Sequence, residues 1–417
     1  MCTVKSLRFL QISDLHLDST LAGSKLNLPP TKQKTIRNDI RRVVRQLPDI
    51  VKKYSVEVVL CPGDMWEEEA VRLETAIEFF ETLRSIAPIP VLIAPGNHDF
   101  YHPLSYYSQE YYERKSGKEY PSNLFVFSQP EITTLALPQL PGVEFFGSCF
   151  TAFSSVGIHP AFVARQGRPD TLKVALVHGS LLDSPLQVES KQKRDSVLTF
   201  SSRDILSSAY DYIALGHYHR YEAIEDRSKI RAAYGGIPVA RGLDETRAHY
   251  VLVGEIQHGG VSAESLEPIC VDERRIHDLE IFLDGQAVTA GQILTTIKRE
   301  LDEADVQKND IVYARLKGKL PASYDEVDVD TSELEKLCFH IVLDWAGVEP
   351  DYDLDAMRRD VSVEKTVLGQ FIREMDRLEE AAQASGDFRR VKVIQEARIL
   401  GLDALHGKEL CARHVAQ

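Results

Sequence analysis

Residues 7–19 read LRFLQISDLHLDS. The first part, LRFLQIS (7–13), is apolar and β-prone, the pattern of a buried strand, and Asp14 and His16 follow directly past its end. Open α/β sheets place their ligands at the carboxyl ends of their strands, so a strand that ends in an acid and a histidine predicts both a fold and a site. Further along, VEVVLC (56–61), PVLIAP (90–95), VEFFGS (143–148), LKVALVH (172–178) and DYIALGH (211–217) repeat the strand pattern. Between the first two strands, Ile36, Ile40, Val43, Val44, Leu47, Ile50 and Val51 fall at helical spacing, and Val71, Phe79, Phe80 and Leu83 do so between the second and third. This alternation predicts a layered α/β domain.

The chain of 417 residues is 43% hydrophobic, enough for one large domain and one or two smaller ones. No run of about 18 apolar residues occurs, and the segment before the first strand lacks a signal pattern, so a soluble, cytoplasmic protein is expected. Cys2, Cys61, Cys149, Cys270, Cys338 and Cys411 form no C-x-x-C pair, which argues against a disulfide framework and a zinc ribbon. The net charge of −14 repels a phosphate backbone, so any nucleic-acid surface must be local or shaped by bound cations.

After about residue 275 the pattern changes. HDLEIFLDG, then TAGQILTTIKRELDEA with Ile293, Leu294, Ile297 and Leu301 on one face, then DIVYARLKGKLP predict a small β-α-β unit. From about 350 the chain is charged and helical in period, with Leu368, Phe371, Ile372, Met375 and Leu378 in one run and Val391, Ile394 and Ala397 in another. The expected domains are therefore 1–275, 276–345 and a helical segment 346–417.

Five short motifs lie at predicted strand ends: D-L-H (Asp14, His16), G-D (Gly63, Asp64), G-N-H-D (Asn97, His98, Asp99), V-H-G (His178) and G-H-Y-H (His217, His219). Each alone is weak, and a single histidine such as His178 reads more readily as a loop residue. Together they supply oxygen and imidazole donors suited to divalent manganese, iron or zinc, with no cysteine of a structural zinc site. The donors are too many for one tetrahedral ion. They suffice for two ions sharing a carboxylate, a pair about 3.5–4 Å apart that can clamp a phosphate during in-line displacement.

In this order the motifs resemble the calcineurin-like metallophosphoesterase superfamily, over roughly residues 7–255. The resemblance implies a four-layer α/β/β/α sandwich. It also implies two divalent ions, manganese first, with magnesium, iron or zinc as the other candidates. By resemblance Asp14, His16, Asp64 and His219 hold one ion, and Asp64, Asn97, His178 and His217 the other. His98 would donate a proton to the leaving oxygen or stabilise the transition state, and Asp99 would orient His98. Asp18 is open between a partner for His16 and a turn aspartate.

Protein phosphatases of this superfamily read G-D-x-x-D-R-G at the second motif and use the arginine on a dianionic monoester; here the motif reads GDMWEEE, which favours a diester. ISDLHLDS, PSNLFVF and AAYGGIPVARGLDE are similar to the bacterial SbcD and YhaO type of DNA-repair nuclease, an Mre-type enzyme. That resemblance implies a DNA exo- or endonuclease that hydrolyses phosphodiesters with a metal-bridged hydroxide. It implies residues 276–345 as a capping domain bordering the DNA groove, and the helices beyond as the dock for an SMC-like coiled-coil ATPase of the SbcC type, with a homodimer as a further assembly. The helices could equally complete a core.

Tyr101, Tyr106, Tyr107, Tyr111, Tyr112 and Tyr120, around Arg114, Lys115 and Lys118, either stack bases or pack a long insertion. Arg37, Arg41, Arg42 and Arg45, like Lys191, Lys193 and Arg194, read first as solvated charge. The rival functions are a small-molecule or cyclic-nucleotide phosphodiesterase and a non-catalytic scaffold for the ATPase.

Overall fold

The computed structural model describes residues 6–21, 25–155, 157–162, 170–185, 197–283, 289–322 and 329–407. Lys191, Lys193 and Arg194 lie outside the described residues. The chain divides into two compact units, Met1–Ile276 and His277–Gln417.

The first unit runs β1 (Leu7–Gln11), α1 (Pro30–Lys53), β2 (Val58–Cys61), α2 (Leu73–Ser85), β3 (Val91–Ile93), α3 (Gln109–Ser116), β4 (Leu124–Val126), β5 (Thr133–Leu135) and β6 (Val143–Gly147). It continues with β7 (Gly157–Ile158), β8 (Leu172–His178), β9 (Ser180–Leu181), β10 (Leu198–Phe200), α4 (Ser202–Ser207), β11 (Tyr212–Gly216), β12 (Glu222–Asp226), β13 (Lys229–Tyr234), β14 (Tyr250–Gln257), β15 (Gly260–Ser262) and β16 (Glu267–Cys270). One hydrogen-bonded path joins most of these strands in the order β4-β3-β2-β1-β14-β15-β13-β11-β8-β6-β5.

The alternation of side chains along each strand shows how this sheet becomes a sandwich. Leu7 and Phe9 of β1, Val58 and Leu60 of β2, Leu172, Val174 and Leu176 of β8, and Tyr212 and Ala214 of β11 share one buried cluster, so the two halves of the sheet curl face to face. Their neighbours point the other way. Leu10, Val59 and Cys61 meet Ile40, Val43, Val44 and Leu47 of α1 and Phe79, Phe80 and Leu83 of α2, whereas Ala175, Val177, Ile213 and Leu215 meet Ile205 of α4. The layers are thus helix, half-sheet, half-sheet, helix, as the resemblance implied. Gln11, fully buried, stitches the halves together: its amide donates to the carbonyls of Leu215 and Ala233, and its oxygen accepts from Tyr212 Oη at 2.7 Å.

Strands β1, β2 and β3 are mutually parallel, as are β8 and β11, and so each group brings its carboxyl ends to one edge. Three of the arginines of α1 are engaged by acids rather than simply solvated: Arg41 pairs with Asp18, Arg42 with Asp39 and Glu273, and Arg45 with Glu78. Asp18 also accepts from Thr75 Oγ1 and the Arg72 amide, so it ties the first loop to both helices and is not the partner of His16. Burial works to raise Asp18, but the Thr75, Arg72 and Arg41 contacts outweigh it and hold the carboxyl below its ordinary value.

The second unit contains β17 (Ile276–Leu283), α5 (Ala290–Glu303), β18 (Ile311–Pro321) and β19 (His340–Asp351), followed by α6 (Leu354–Arg359), α7 (Val361–Glu364), α8 (Val367–Ala384) and α9 (Phe388–Leu405). Its sheet has the order β17-β18-β19, with β18 and β19 parallel, and Ile293, Ile297 and Leu301 of α5 are buried among its apolar residues. Ile372 and Met375 of α8 and Ile394 of α9 are buried as their spacing predicts. Ala397 is exposed, and at the next position Arg398 is buried against Asp376 and Glu379 instead. Among the described residues no helix is long and apolar enough to cross a membrane.

Candidate metal centre

His178 is the last residue of β8, and every other sequence-predicted site residue sits in a loop leaving a strand of the curled sheet. The loop after β1 is zipped to the loop after β2 by the Asp14, His16 and Leu17 amides, which donate to the carbonyls of Gly63, Asp64 and Met65 at 3.0–3.1 Å. Asp14, His16, Asp64 and His217 have positive φ, between 45° and 110°, a conformation sparsely used by residues other than glycine. Such strain concentrates at functional sites, where the surrounding structure enforces it. Gly63 and Gly96 carry the close approach of these loops: a Cβ on either would collide with His178.

Among the described residues the potential ligand atoms form three clusters, two of which share Asp14, while the third is made of His16, Glu67 and His98. Asp14, His16 and His219 form one cluster of potential ligand atoms, and Asp14, Asp64 and His178 another. Asp64 Oδ2 lies 3.7 Å from His16 Nε2 and 3.4 Å from His178 Nε2, so its carboxylate stands between the two groups. Asn97 Oδ1 is 3.1 Å from His178 Nε2. His217 enters through its backbone amide, which donates to Asp14 Oδ1 at 3.0 Å, and the His98 amide donates to Asp64 Oδ1 at 2.9 Å.

The donor chemistry fits cations. The Nδ1 atoms of His16 and His219 face the carboxylates of Glu67 and Glu245 at 2.8 and 2.6 Å, which assigns the proton to Nδ1 in each neutral ring and leaves Nε2 as an acceptor. Those two Nε2 atoms then confront each other at 3.3 Å, lone pair to lone pair. In the other group His178 Nδ1 donates to the Pro62 carbonyl at 2.9 Å and its Nε2 faces the oxygens of Asn97 and Asp64 at 3.1 and 3.4 Å. Burial works to lower His178, but Asp64, Asp14 and the Pro62 carbonyl outweigh it and raise the ring to about 9, so a cation at Nε2 would take the place of a proton. Asp14 Oδ2 is buried with no hydrogen-bond partner. Burial pushes Asp14 up to about 7 and His16 down to about 3. Burial also works to raise Asp64, but His178, His16 and His98 outweigh it and hold that carboxylate well below its ordinary range.

His98 differs from the others in being partly open, with 30% of its side chain exposed, and in carrying a ring near solvent. Its Nδ1 bonds to Glu67 Oε2 at 2.7 Å. Burial lowers its affinity for a proton, but Glu67 and Asp64 overcome this and raise His98 above its ordinary value, which suits a proton donor. Glu67, not Asp99, therefore orients His98. Asp99 is fully buried and accepts from the amides of Asp64, Gly96 and Met65 and from Tyr107 Oη, so it fixes the loops that present the site. The sequence reading missed Glu67, Glu245 and Arg241. Arg241 lies within ion-pairing distance of both acids. Glu67 is part of GDMWEEE, and the other two belong to the segment after G-H-Y-H, where the motifs themselves were the only signal.

The tyrosine cluster is mostly packing. Tyr107 and Tyr112 are buried, Tyr101, Tyr106 and Tyr120 pack on the core of the first unit, and Tyr107 stacks on Trp66 at 4.0 Å. Arg114 and Lys115 approach the face of Tyr111 within the same helix.

Converging imidazoles and buried carboxylates beside a partly exposed histidine form a candidate metal centre of the hydrolase type. The family model for calcineurin-like phosphoesterase matches residues 7–254, more than half of the chain, and the chain belongs to that family. Membership implies a metal-dependent phosphoester hydrolase. The uncharacterized metallophosphoesterase YhaO of Bacillus subtilis is 26% identical over 263 residues, 62% of this chain and 59% of that protein. The SbcD component of the SbcCD nuclease of Staphylococcus epidermidis is 22% identical over 235 residues, 51% of this chain and 57% of that protein. The chain thus spans less than two thirds of the length of these curated relatives. Among solved structures, purple acid phosphatase PPD1 from yellow lupin aligns with TM-score 0.37 and 12% identity over 64% of this chain and 54% of that one. TT1561 of Thermus thermophilus aligns with TM-score 0.33 and 13% identity over 64% and 99%. Both overlaps are too loose to bear on function.

Proposed function

We propose that the chain is a DNA nuclease that cleaves phosphodiesters at a dimanganese centre. One ion would be held by Asp14, His16, Asp64 and His219 and the other by Asp64, Asn97, His178 and His217. When bound, the ions supply Lewis acidity toward the phosphate and an activated water nucleophile. His98 holds a proton through its bond to Glu67 and delivers it from Nε2 to the leaving oxygen. Asp99 keeps the loops of Asp64 and Asn97 in register.

The observation that carries the nuclease reading over a small-molecule phosphodiesterase is Phe153. It is 53% exposed, and its ring meets that of His98 edge to face at 5.1 Å. An exposed aromatic beside the proton donor offers a stacking surface to a base flanking the scissile phosphate. The similarity to a nuclease component supports the same reading. The convergence of the donor set argues against a scaffold with a decayed site. In this reading the second unit supplies the capping domain and the dock for an SMC-like ATPase.

The test is hydrolysis of end-labelled single- and double-stranded DNA with manganese, magnesium or chelator, beside Asp64→Ala and a small chromogenic diester. Manganese-dependent cleavage that Asp64→Ala abolishes supports the proposal. Diester hydrolysis without DNA cleavage overturns the nuclease assignment and favours the small-molecule reading.

A further inference from the structure

His16 and His219, which the preceding reading assigns to the same ion, are oriented by different acids from distant parts of the chain. Glu67 accepts from His16 Nδ1, and Glu245 accepts from His219 Nδ1. The two rings meet nearly at right angles, with centroids 5.1 Å apart, and their convergence therefore depends on both carboxylates holding position. Two buried or half-buried anions at such a site repel each other, and each would relax toward solvent if left alone.

A single side chain stands between them. Arg241 Nη1 lies 3.6 Å from Glu67 Oε1, Arg241 Nη2 lies 3.6 Å from Glu245 Oε1, and Nη2 is 3.5 Å from His219 Nδ1. The backbone amide of the same residue donates to Glu245 Oε2 at 2.6 Å, so Glu245 is held from both ends of Arg241. Only 18% of the Arg241 side chain is exposed, against 23% for Glu67 and 4% for Glu245, which removes most of the water that would screen these pairs. The planar guanidinium can address two carboxylates at once, which an ammonium cannot do in the same geometry.

The second group is oriented by other means. His178 Nδ1 is anchored on the carbonyl of Pro62, a backbone group fixed by the loop after β2. The ion pairs of Arg241 among the described residues run to Glu67 and Glu245 and not to Asp64, the acid beside His178.

We propose that Arg241 is a positioning residue that bridges Glu67 and Glu245 and thereby presets the His16–His219 half of the metal centre, leaving the His178 half to its backbone anchor. The inference rests on the two-metal reading above. It gives the site two groups of histidines oriented by different means, one through a partly buried guanidinium and one by a main-chain carbonyl. Partners one step removed from metal-bound histidines typically change metal affinity by about 10–100-fold.

The test is calorimetric titration of manganese into the full chain and into Arg241→Gln and Arg241→Lys, with urea unfolding of each to establish that the fold persists. Wild type should bind two ions. Arg241→Gln should keep one site at wild-type affinity and weaken the other by about 10–100-fold, and Arg241→Lys, which retains charge but not the fork, should fall between them. Two wild-type sites left unchanged in Arg241→Gln, or both weakened alike, overturn the inference while the two-metal reading stands. No manganese bound by wild type overturns both. If Arg241→Gln unfolds, Arg241→Lys decides the matter by the same comparison.

Discussion

His16 and His219 face each other through their Nε2 atoms at 3.3 Å, although they come from loops at opposite ends of the domain's sequence. Each ring is turned into that position by an acid on its far side, and the pair makes sense as two acceptors converging on one cation. His178 Nε2 faces Asn97 Oδ1 and Asp64 Oδ2 at 3.1 and 3.4 Å, a place where a cation would stand in for the ring's proton. A cation held between His16 and His219 would convert their repulsive contact into coordination.

His98→Ala should retain both metal sites, because the hydrogen bond from His98 to the Asp64 carboxylate comes from its backbone amide, which alanine keeps. Hydrolysis should fall by about 10²–10⁴-fold, the usual contribution of a general acid. Turnover measured beside metal content checks this; an alanine variant with full activity removes His98 from the mechanism.

Much of this arrangement was legible before the structure. Asp14, His16, Asp64, Asn97, His178, His217 and His219 announce themselves because histidines and acids at successive strand ends are rare and strand ends are readable from apolar runs. Glu67, Glu245 and Arg241 were hidden for the opposite reason. Acids and basic residues are abundant here, 63 Asp and Glu against 49 Lys and Arg, and only the fold reveals which of them touch a histidine. Asp99 was visible, but three of its hydrogen bonds come from backbone amides, which no side-chain pattern encodes.

Phe153→Ala should raise KM for DNA several-fold to about 100-fold, since stacking on one base contributes about 1–3 kcal/mol. Hydrolysis of a small chromogenic diester, which has no base to stack, should be little changed. Equal loss on both substrates would mean that Phe153 supports His98 rather than substrate.

Tyr107→Phe removes a 2.6 Å hydrogen bond from the buried carboxylate of Asp99 while preserving the stack on Trp66. Such a loss at a buried charged group costs about 1–3 kcal/mol. Urea unfolding should show a lower midpoint with an unchanged slope; wild-type stability would show that the three backbone amides suffice for Asp99.

His159 is buried, and burial pushes it from 6.5 down to about 3. The unfolded chain therefore binds a proton that the folded chain refuses over that window. This stability contribution is intact above pH 6.5 and is lost progressively as pH falls toward 3. His159→Gln should be less sensitive than wild type across the acid limb, compared as the difference between their unfolding curves at each pH. Parallel curves would show that His159 is already charged in the fold.

Electron paramagnetic resonance of the manganese-loaded chain tests the bridging role proposed for Asp64. With manganese at two equivalents, wild type should give the spectrum of a magnetically coupled pair, and Asp64→Ala the hyperfine pattern of isolated ions. A wild-type spectrum of isolated ions alone would contradict a dimetal centre bridged by Asp64.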